Sequence, residues 1–587
     1  MKRIGLYPTL IIAVFLFALT GCPPPEPSPA PFISFSEPGN EFNNNDTINV
    51  SGTVWCPEGR TISSVSVNSQ AMSFTDTTFY GSVSLPPSAE RVRPLMAEIV
   101  DSTGRVGKDR LAVLRGTSKE TGQPIDWGYG ARLNQGLFDL MTQMVWPYLQ
   151  DIDLDEFILP LNPILDEEID VWGFTIASAR ADLTGAHYSS VDFDLTAANG
   201  YLDLYASVNG FQLDFSLRGE IMEIGYSCGG DVEVDHARVY LDVGMSADAG
   251  DVVLTPVGVN VSLAGFDIDT SCLPFDFENL FNGIVRRIIE NVAENMVVNT
   301  AFPEINNILD DLDFTYSIAF FQISTAFSGF VQDSIGETIH MDTNVFPLIQ
   351  VNPMEQGGYM FTDNPTPIMT GTVPGTGEPY DLSMFVSDEV INAALYSVAE
   401  AGNMNIEFNE IEGQPLNIGF LTTFFPAFQA FDPTVPARIT LSPTVAPYMT
   451  MAPGDPPPIS IILPNYMLQV DFEFPEGLSM ALKIGIDASL AISAAPLLGN
   501  AIQFSLESFG FNAYVLEEPL IDVNEIGIET LVPFAIDLIE VAVVGPIAEF
   551  PIPAFSGIQL VPLQIRTCGT GNDFLGIYGG VDLIPTD

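Results

Sequence analysis

The sequence predicts an α+β protein in which helices alternate with long β-hairpins, an order laid down twice behind an all-β segment. Three observations carry this expectation. Apolar and polar residues alternate strictly through residues 191–217, weakly charged helical stretches occur in both halves, and short β-rich runs separated by turn residues fill residues 31–116.

The β-rich runs come first. "INVSGTVW", "ISSVSVNSQAMSF", "YGSVSLPP" and "PLMAEIVDSTGRVG" follow one another at intervals suited to a sandwich. From Trp127 the pattern changes. A helix is expected over about Gly130 to Leu149, with Leu133, Leu137, Leu140, Met141, Met144, Val145 and Tyr148 on one face. Strands follow in which Val191, Phe193 and Leu195 alternate with Asp192 and Asp194. Leu202 to Val208 and Phe211 to Leu217 continue the alternation, and Asn199-Gly200 and Asn209-Gly210 read as hairpin turns between them. One sheet face is therefore apolar and the other acidic and wet. No loop among these carboxylates has the spacing of an EF-hand.

A second helix is expected over about Asp276 to Thr300. Leu280, Ile284, Ile288 and Val292 form its apolar row, and Arg286 and Glu290 form an i,i+4 pair. After the proline- and glycine-rich link "NPTPIMTGTVPGTGEPYD" stands "SMFVSDEVINAALYSVAEAGNMNIEF", which reads as one helix with its punctuation. Ser387 suits the start, Asp388 and Glu389 suit the positive end of the helix dipole, and Gly402-Asn403 supplies the stop. Its apolar residues, including Ile391, Leu395 and Val398, surround the helix, so burial on most sides is expected. Alternating strands then run to the end.

The 587 residues include 75 acidic and 19 basic ones, a formal charge of -56, and 47% are hydrophobic. That length allows several large cores. The charge argues against nucleic acid as a partner, because phosphate binding needs a basic groove, and it fits solubility in an external medium. The search for chemistry is negative. His187, His236 and His340 lack ligand spacing, and no G-x-S-x-G elbow, P-loop or C-x-x-C motif is present, so no enzyme, metal site or cofactor is expected.

Lys2 and Arg3 precede an apolar run from Ile4 that ends in Leu19-Thr20-Gly21-Cys22. This resembles a bacterial lipoprotein signal, which implies cleavage after residue 21 and lipidation of Cys22. Pro23 beside that cysteine resembles the outer-membrane sorting pattern, implying an exported protein on the periplasmic face or the cell surface. "CPPPEPSPAP" would be a stiff tether. No later segment reads as a membrane span: "ALKIGIDASLAISAAPLLGNAI" carries Lys483, Asp487 and Pro496. Cys56, Cys228, Cys272 and Cys568 remain, an even number that allows three pairings. Cys228 and Cys272 lie within one expected module, where a bond would stabilise by roughly 4 kcal/mol on the chain-entropy account; Cys56 and Cys568 fit buried thiols.

Two resemblances organise these elements. "VSGTVWCPEGRTISSVSVNSQ" resembles the bacterial Ig-like modules. "MFVSDEVINAALYSVAEAGNMNIEF", "GYGARLNQGLFDLM" and "FPIPAFSGIQLVPLQIR" resemble, in the right order, the two long helices and the closing strand of the TULIP superfamily, in particular the bactericidal/permeability-increasing and lipid transfer protein family. The resemblance implies two tandem TULIP-like modules, each a long helix wrapped by a twisted antiparallel sheet. It gives these boundaries: signal 1–21, tether 22–30, Ig-like sandwich 31–116, first module 120–345, linker and central-sheet segment 346–380, second module 381–587. It further implies binding, and transfer as an extension, of phospholipid or another acyl lipid between helix and sheet. Leu133, Leu137, Leu140, Met141, Met144, Ile284, Ile288, Ile391, Leu395 and Val398 are the expected lining. Burying an acyl chain contributes about 0.8 kcal/mol per methylene without any specific side chain. Two departures stand beside the resemblance: the chain has no basic tip like that of the antibacterial members, and Cys272 precedes the helix that carries the family's cysteine. The rival expectation is a non-enzymatic adhesion or scaffold protein acting through the Ig-like domain.

Overall fold

The computed structural model describes residues 30–583 apart from 86–90, 172–173, 222–223, 249, 270–274, 311–314, 363–366, 368, 412–413, 455–457, 498–500, 521–526, 529–530, 532–538 and 552–557. The expected signal, Cys22 and Cys272 lie outside the described residues. The protein is mostly sheet with few helices.

Residues 32–114 form two four-stranded antiparallel sheets over one core. One contains Phe32–Glu37, Thr47–Trp55 and Thr78–Ser84, the other Ile62–Val67, Val92–Asp101 and Val106–Leu114. Alternating residues, among them Ile48, Val50, Val65, Phe79, Leu95 and Ile99, point between them. This sandwich is fastened to the second half of the chain. Ala112 and Leu114 share a small core with Met360, Val445 and Tyr448, and Arg105 pairs with Glu518 at 3.7 Å.

A central seven-stranded sheet joins both halves. Its order is Thr315–Ser317, Phe321–Gln332, Gly336–Pro347, Ile125–Asn134, Leu382–Ser387, Phe574–Leu583 and Ile558–Cys568. Ile125–Asn134 and Leu382–Ser387 lie side by side and antiparallel, with Tyr129 opposite Val386 and Leu133 opposite Leu382. Each runs directly into a helix: α1 (Gln135–Gln150) from the first, and from the second a helix that is the fourth long one in the chain. Between them come α2 (Phe275–Met296) and, after one π-helical turn, α3 (Phe302–Asp310); α4 (Asp388–Glu400) is the fourth.

The first long-helix expectation needs shortening at the start. Residues 130–134 are strand, not helix, because a central strand buried on both faces loses the period-2 alternation that would mark it, whereas α4 begins at Asp388, directly after Ser387, as expected. Leu133 thus belongs to the sheet. Ser387 stands at the start of α4 with extended backbone, but its side chain makes no capping bond. The stop is as expected, with Gly402 at φ +74°. Tyr148, placed on the apolar face of α1, is exposed.

Two long antiparallel sheets flank the centre. The first is ordered Leu165–Val171, Phe174–His187, Tyr201–Ile221, Ile224–Asp248 and Asp251–Ala264, with Ser190–Ala198 added on Tyr201–Ile221; the second runs through Ala437–Pro443, Ile459–Phe474, Gly477–Leu497 and Ala501–Glu517. Asn199-Gly200 is a hairpin turn, pairing Ala198 with Tyr201. Asn209-Gly210 is not: Tyr201–Ile221 passes through it as one 21-residue strand, Asn209 facing His236 and Phe211 facing Val234. Gly210, at φ +59°, breaks the alternation while the pairing with Ile224–Asp248 keeps its register across it. It moves the inward positions from 202, 204, 206 and 208 to 211, 213, 215 and 217, and so keeps all eight side chains in the core.

Candidate functional site

The inner face of each long sheet is apolar, and helices cover it unequally. α1 packs on Ser190–Ala198, α2 and α3 on Ile224–Asp248 and Asp251–Ala264, and α4 on Gly336–Pro347 and Tyr448–Met451. Every residue of α4 is buried. Asn392 Oδ1 there accepts from the Met449 amide at 2.6 Å, and Glu400, whose carboxyl burial pushes above its ordinary pKa, accepts from Gln350 at 3.3 Å.

One outer strand of each sheet is different. In Asp251–Ala264 the inward residues Val252 and Leu254 are buried, but Val259 is 38% exposed and Val261 and Leu263 are half-buried. Their partners across the ladder, Leu241, Val239 and Ala237, are fully buried. In Ala501–Glu517 the inward Ile502 and Phe504 are buried, whereas Phe509 is 37% exposed and Phe511, Ala513 and Val515 are half-buried opposite fully buried Leu490, Ala488, Ile486 and Ile484. The rings of Phe509 and Phe511 stack at 6.3 Å. Among the described residues the inner apolar face is thus only partly covered along one outer strand of each sheet, leaving two open seams.

The structure distributes the expected lining residues among several environments. Leu137, Leu140 and Met141 are buried in α1 and Met144 is half-buried there; Leu133 is in the central sheet; Ile391, Leu395 and Val398 are fully enclosed in α4. Ile284, half-buried, and Ile288 sit on α2, the helix that packs against the first seam strand. The seam residues themselves were not singled out in the sequence, although "VGVNVSL" and "FGFNAYV" show the alternation that could have found them.

Three described cavities lie elsewhere and contain none of the ten. One, of about 390 Å³, sits on the outer face of the central sheet beside Trp127 and His340. There Arg132 is wholly buried and donates to Asp333 at 2.7 Å, Thr338 at 3.1 Å and Asn134 at 3.0 Å; burial lowers the His340 imidazole to about 4. A second, of about 460 Å³, is bordered by Gly375, Gly454 and Arg566. The third, of about 500 Å³, lies between the sandwich and the second long sheet.

The outer faces are acidic. Asp203 sits directly across from Asp242, and burial together with that neighbour raises its carboxyl pKa. Among the described residues no group of three His, Cys, Asp or Glu is placed to hold a metal ion, and no helix is long and apolar enough to cross a membrane. Cys228 is disulfide-bonded, while Cys56 and Cys568 are free.

No family model and no curated protein matches the chain. Among solved structures, a lipopolysaccharide binding protein is similar at 14% identity over 79% of this chain and 100% of its own, with a TM-score of 0.47. P47 from Clostridium botulinum A2 is similar at 7% identity, covering 77% and 97%, with a TM-score of 0.26. Latherin is similar at 13% identity over 30% of this chain and 84% of its own, with a TM-score of 0.16.

Proposed function

We propose that the chain is an exported, outer-membrane-anchored lipoprotein of the TULIP type that binds phospholipid or another acyl lipid, with transfer between membranes as the extension of that binding. In this reading residues 120–345 and 381–587 are two tandem modules, residues 31–116 are an Ig-like spacer, and Cys22 carries the anchor. The supporting observation is the pair of seams, where Val259, Val261 and Leu263 and, in the other half, Phe509, Phe511, Ala513 and Val515 continue an apolar wall while staying half-buried or exposed. Uncharged surface of this kind gains from any acyl chain laid along it.

Native mass spectrometry of the full chain, followed by lipid extraction, tests the proposal. Bound phospholipid or fatty acyl lipid that is lost on Phe511→Asp together with Val259→Asp is the expected result. Purified protein free of lipid, which also takes up none from vesicles, overturns it.

A further inference from the structure

The cavity of about 390 Å³ on the outer face of the central sheet is built by strand register. Gly329 lies opposite His340, and His340 opposite Gly130; one row along, Val331 lies opposite Thr338, and Thr338 opposite Arg132. Paired residues share a sheet face, so a Cβ on Gly329 would point the same way as the His340 ring. Apart from its chain neighbours no atom lies within 4 Å of that Cβ position, and the Gly329 backbone is not left-handed. The glycine keeps a space open there. Trp127 also lines the cavity, with its backbone at φ +55°, rare for a bulky residue, and its amide donating to Asp342 at 3.1 Å. Its indole lies tilted against the His340 imidazole, ring centres 5.1 Å apart, and the residue stays 37% exposed.

The ionic groups that line this cavity, Arg132 and Asp333, balance each other. Arg132 donates to Asp333, Thr338 and Asn134, and His340 is neutral because burial lowers its imidazole to about 4. The bonds that Asp333 accepts, from Arg132 and from the Ile335 and Gly336 amides, all end on Oδ1. Oδ2 is left as an acceptor on a side chain 44% exposed. The exposed Ser328 hydroxyl donates to the His340 carbonyl at 3.2 Å and keeps its lone pairs.

We propose that this cavity is a carbohydrate site for one neutral hexopyranose, its C–H face on Trp127 and its hydroxyls donating to Asp333 Oδ2 and Ser328 Oγ. Sugar C–H groups carry slight positive charge and meet the negative face of an indole, while a cation gains little beside an acid that Arg132 already balances. At about 30 Å³ per water-sized group, the volume holds roughly 13 such groups, room for one hexose ring with its hydroxyls. The site shares no residue with either seam and does not depend on the lipid reading.

Saturation-transfer NMR on the full chain tests the assignment, with the methyl pyranosides of glucose, galactose and mannose as probes and choline as a cationic control. Transfer to the ring C–H protons of at least one glycoside, and none to choline, is the expected result. Trp127→Gly, which suits the left-handed backbone and removes the indole, should weaken that glycoside about tenfold. Gly329→Val, which fills the open space, should abolish the transfer. The octyl glycoside of the sugar that binds separates two sources of the same chemistry: affinity equal to the methyl glycoside marks a glycan, tighter binding marks a glycolipid head group, and either upholds the site. No transfer to any glycoside overturns the proposal, as does transfer that survives both variants or that goes to choline in place of the sugars.

Discussion

Arg110 of the sandwich donates to Asn465 Oδ1 of the second long sheet at 3.0 Å and pairs with Asp487 through a second nitrogen. Asn465, held at φ +53°, also donates its backbone amide to Asp487 at 3.0 Å and its Nδ2 to the Arg110 carbonyl at 3.3 Å. The sandwich is thus held at a fixed place. Arg110→Ala strands Asp487 and Asn465 and should cost about 3 kcal/mol. Differential scanning calorimetry should then resolve a separate, earlier transition for the sandwich.

Glu337 is buried in the core face of the central sheet, and burial pushes its carboxyl up to about 8, against a smaller opposing pull from Gln332 and Arg132. The folded chain therefore keeps a proton that the unfolded chain gives up near the ordinary carboxylate value. Stability from this group is fully present below that value and declines as pH rises to about 8, by a few kcal/mol. Glu337→Gln should raise the Tm at pH 8 and leave it nearly unchanged at pH 4.

Gly210 holds a left-handed conformation inside a paired strand, and a Cβ there would come within 2.4 Å of Ser189 Oγ. Gly210→Ala should cost about 1–2 kcal/mol, read from the urea midpoint, while Gly200→Ala at the open turn, where no atom lies within 4 Å of the added Cβ, meets only the backbone term.

Leu395 and Phe511 should separate packing from function. Leu395, fully enclosed in α4, should cost about 2–5 kcal/mol as Leu395→Ala. Phe511→Asp, at the half-open second seam, should change stability far less and remove bound lipid, as measured by denaturation and native mass spectrometry on the same preparations.

The Cys568 thiol, buried and raised to about 12, should resist Ellman's reagent at pH 8 until the protein unfolds. Cys56, half-buried at the sandwich, should react first.

Much of this architecture was legible because the long strands alternate. Val191 to Leu195 and Phe211 to Leu217 were assigned correctly to one inward face, and the i,i+4 pair of Arg286 and Glu290 forms at 3.1 Å. The Asn209-Gly210 error has a physical source: Gly at positive φ serves a turn and the interior of a paired strand equally well, and only the switch from even to odd inward positions distinguishes them. The start of α1 was blurred because Gly130 to Leu133 are buried on both faces, and Leu382 to Ser387, buried likewise, went unread as a strand. The seams were missed for a different reason. Exposure on the inner side of Val259 or Phe509 depends on where covering helices end, which alternation within one strand does not encode.

The Tyr129 hydroxyl donates to the Pro551 carbonyl at 2.8 Å across 422 residues of chain, and Phe574–Leu583 completes the sheet beside Leu382–Ser387. A polypeptide emerging from its amino end would therefore have to wait for its last strands before the middle of the molecule could close. Until then Leu382–Ser387, buried along its whole length in the finished fold, would offer an unpaired edge to any passing chain. An escort that shields this edge until the last strands arrive would govern yield far more than the intrinsic stability of the finished protein.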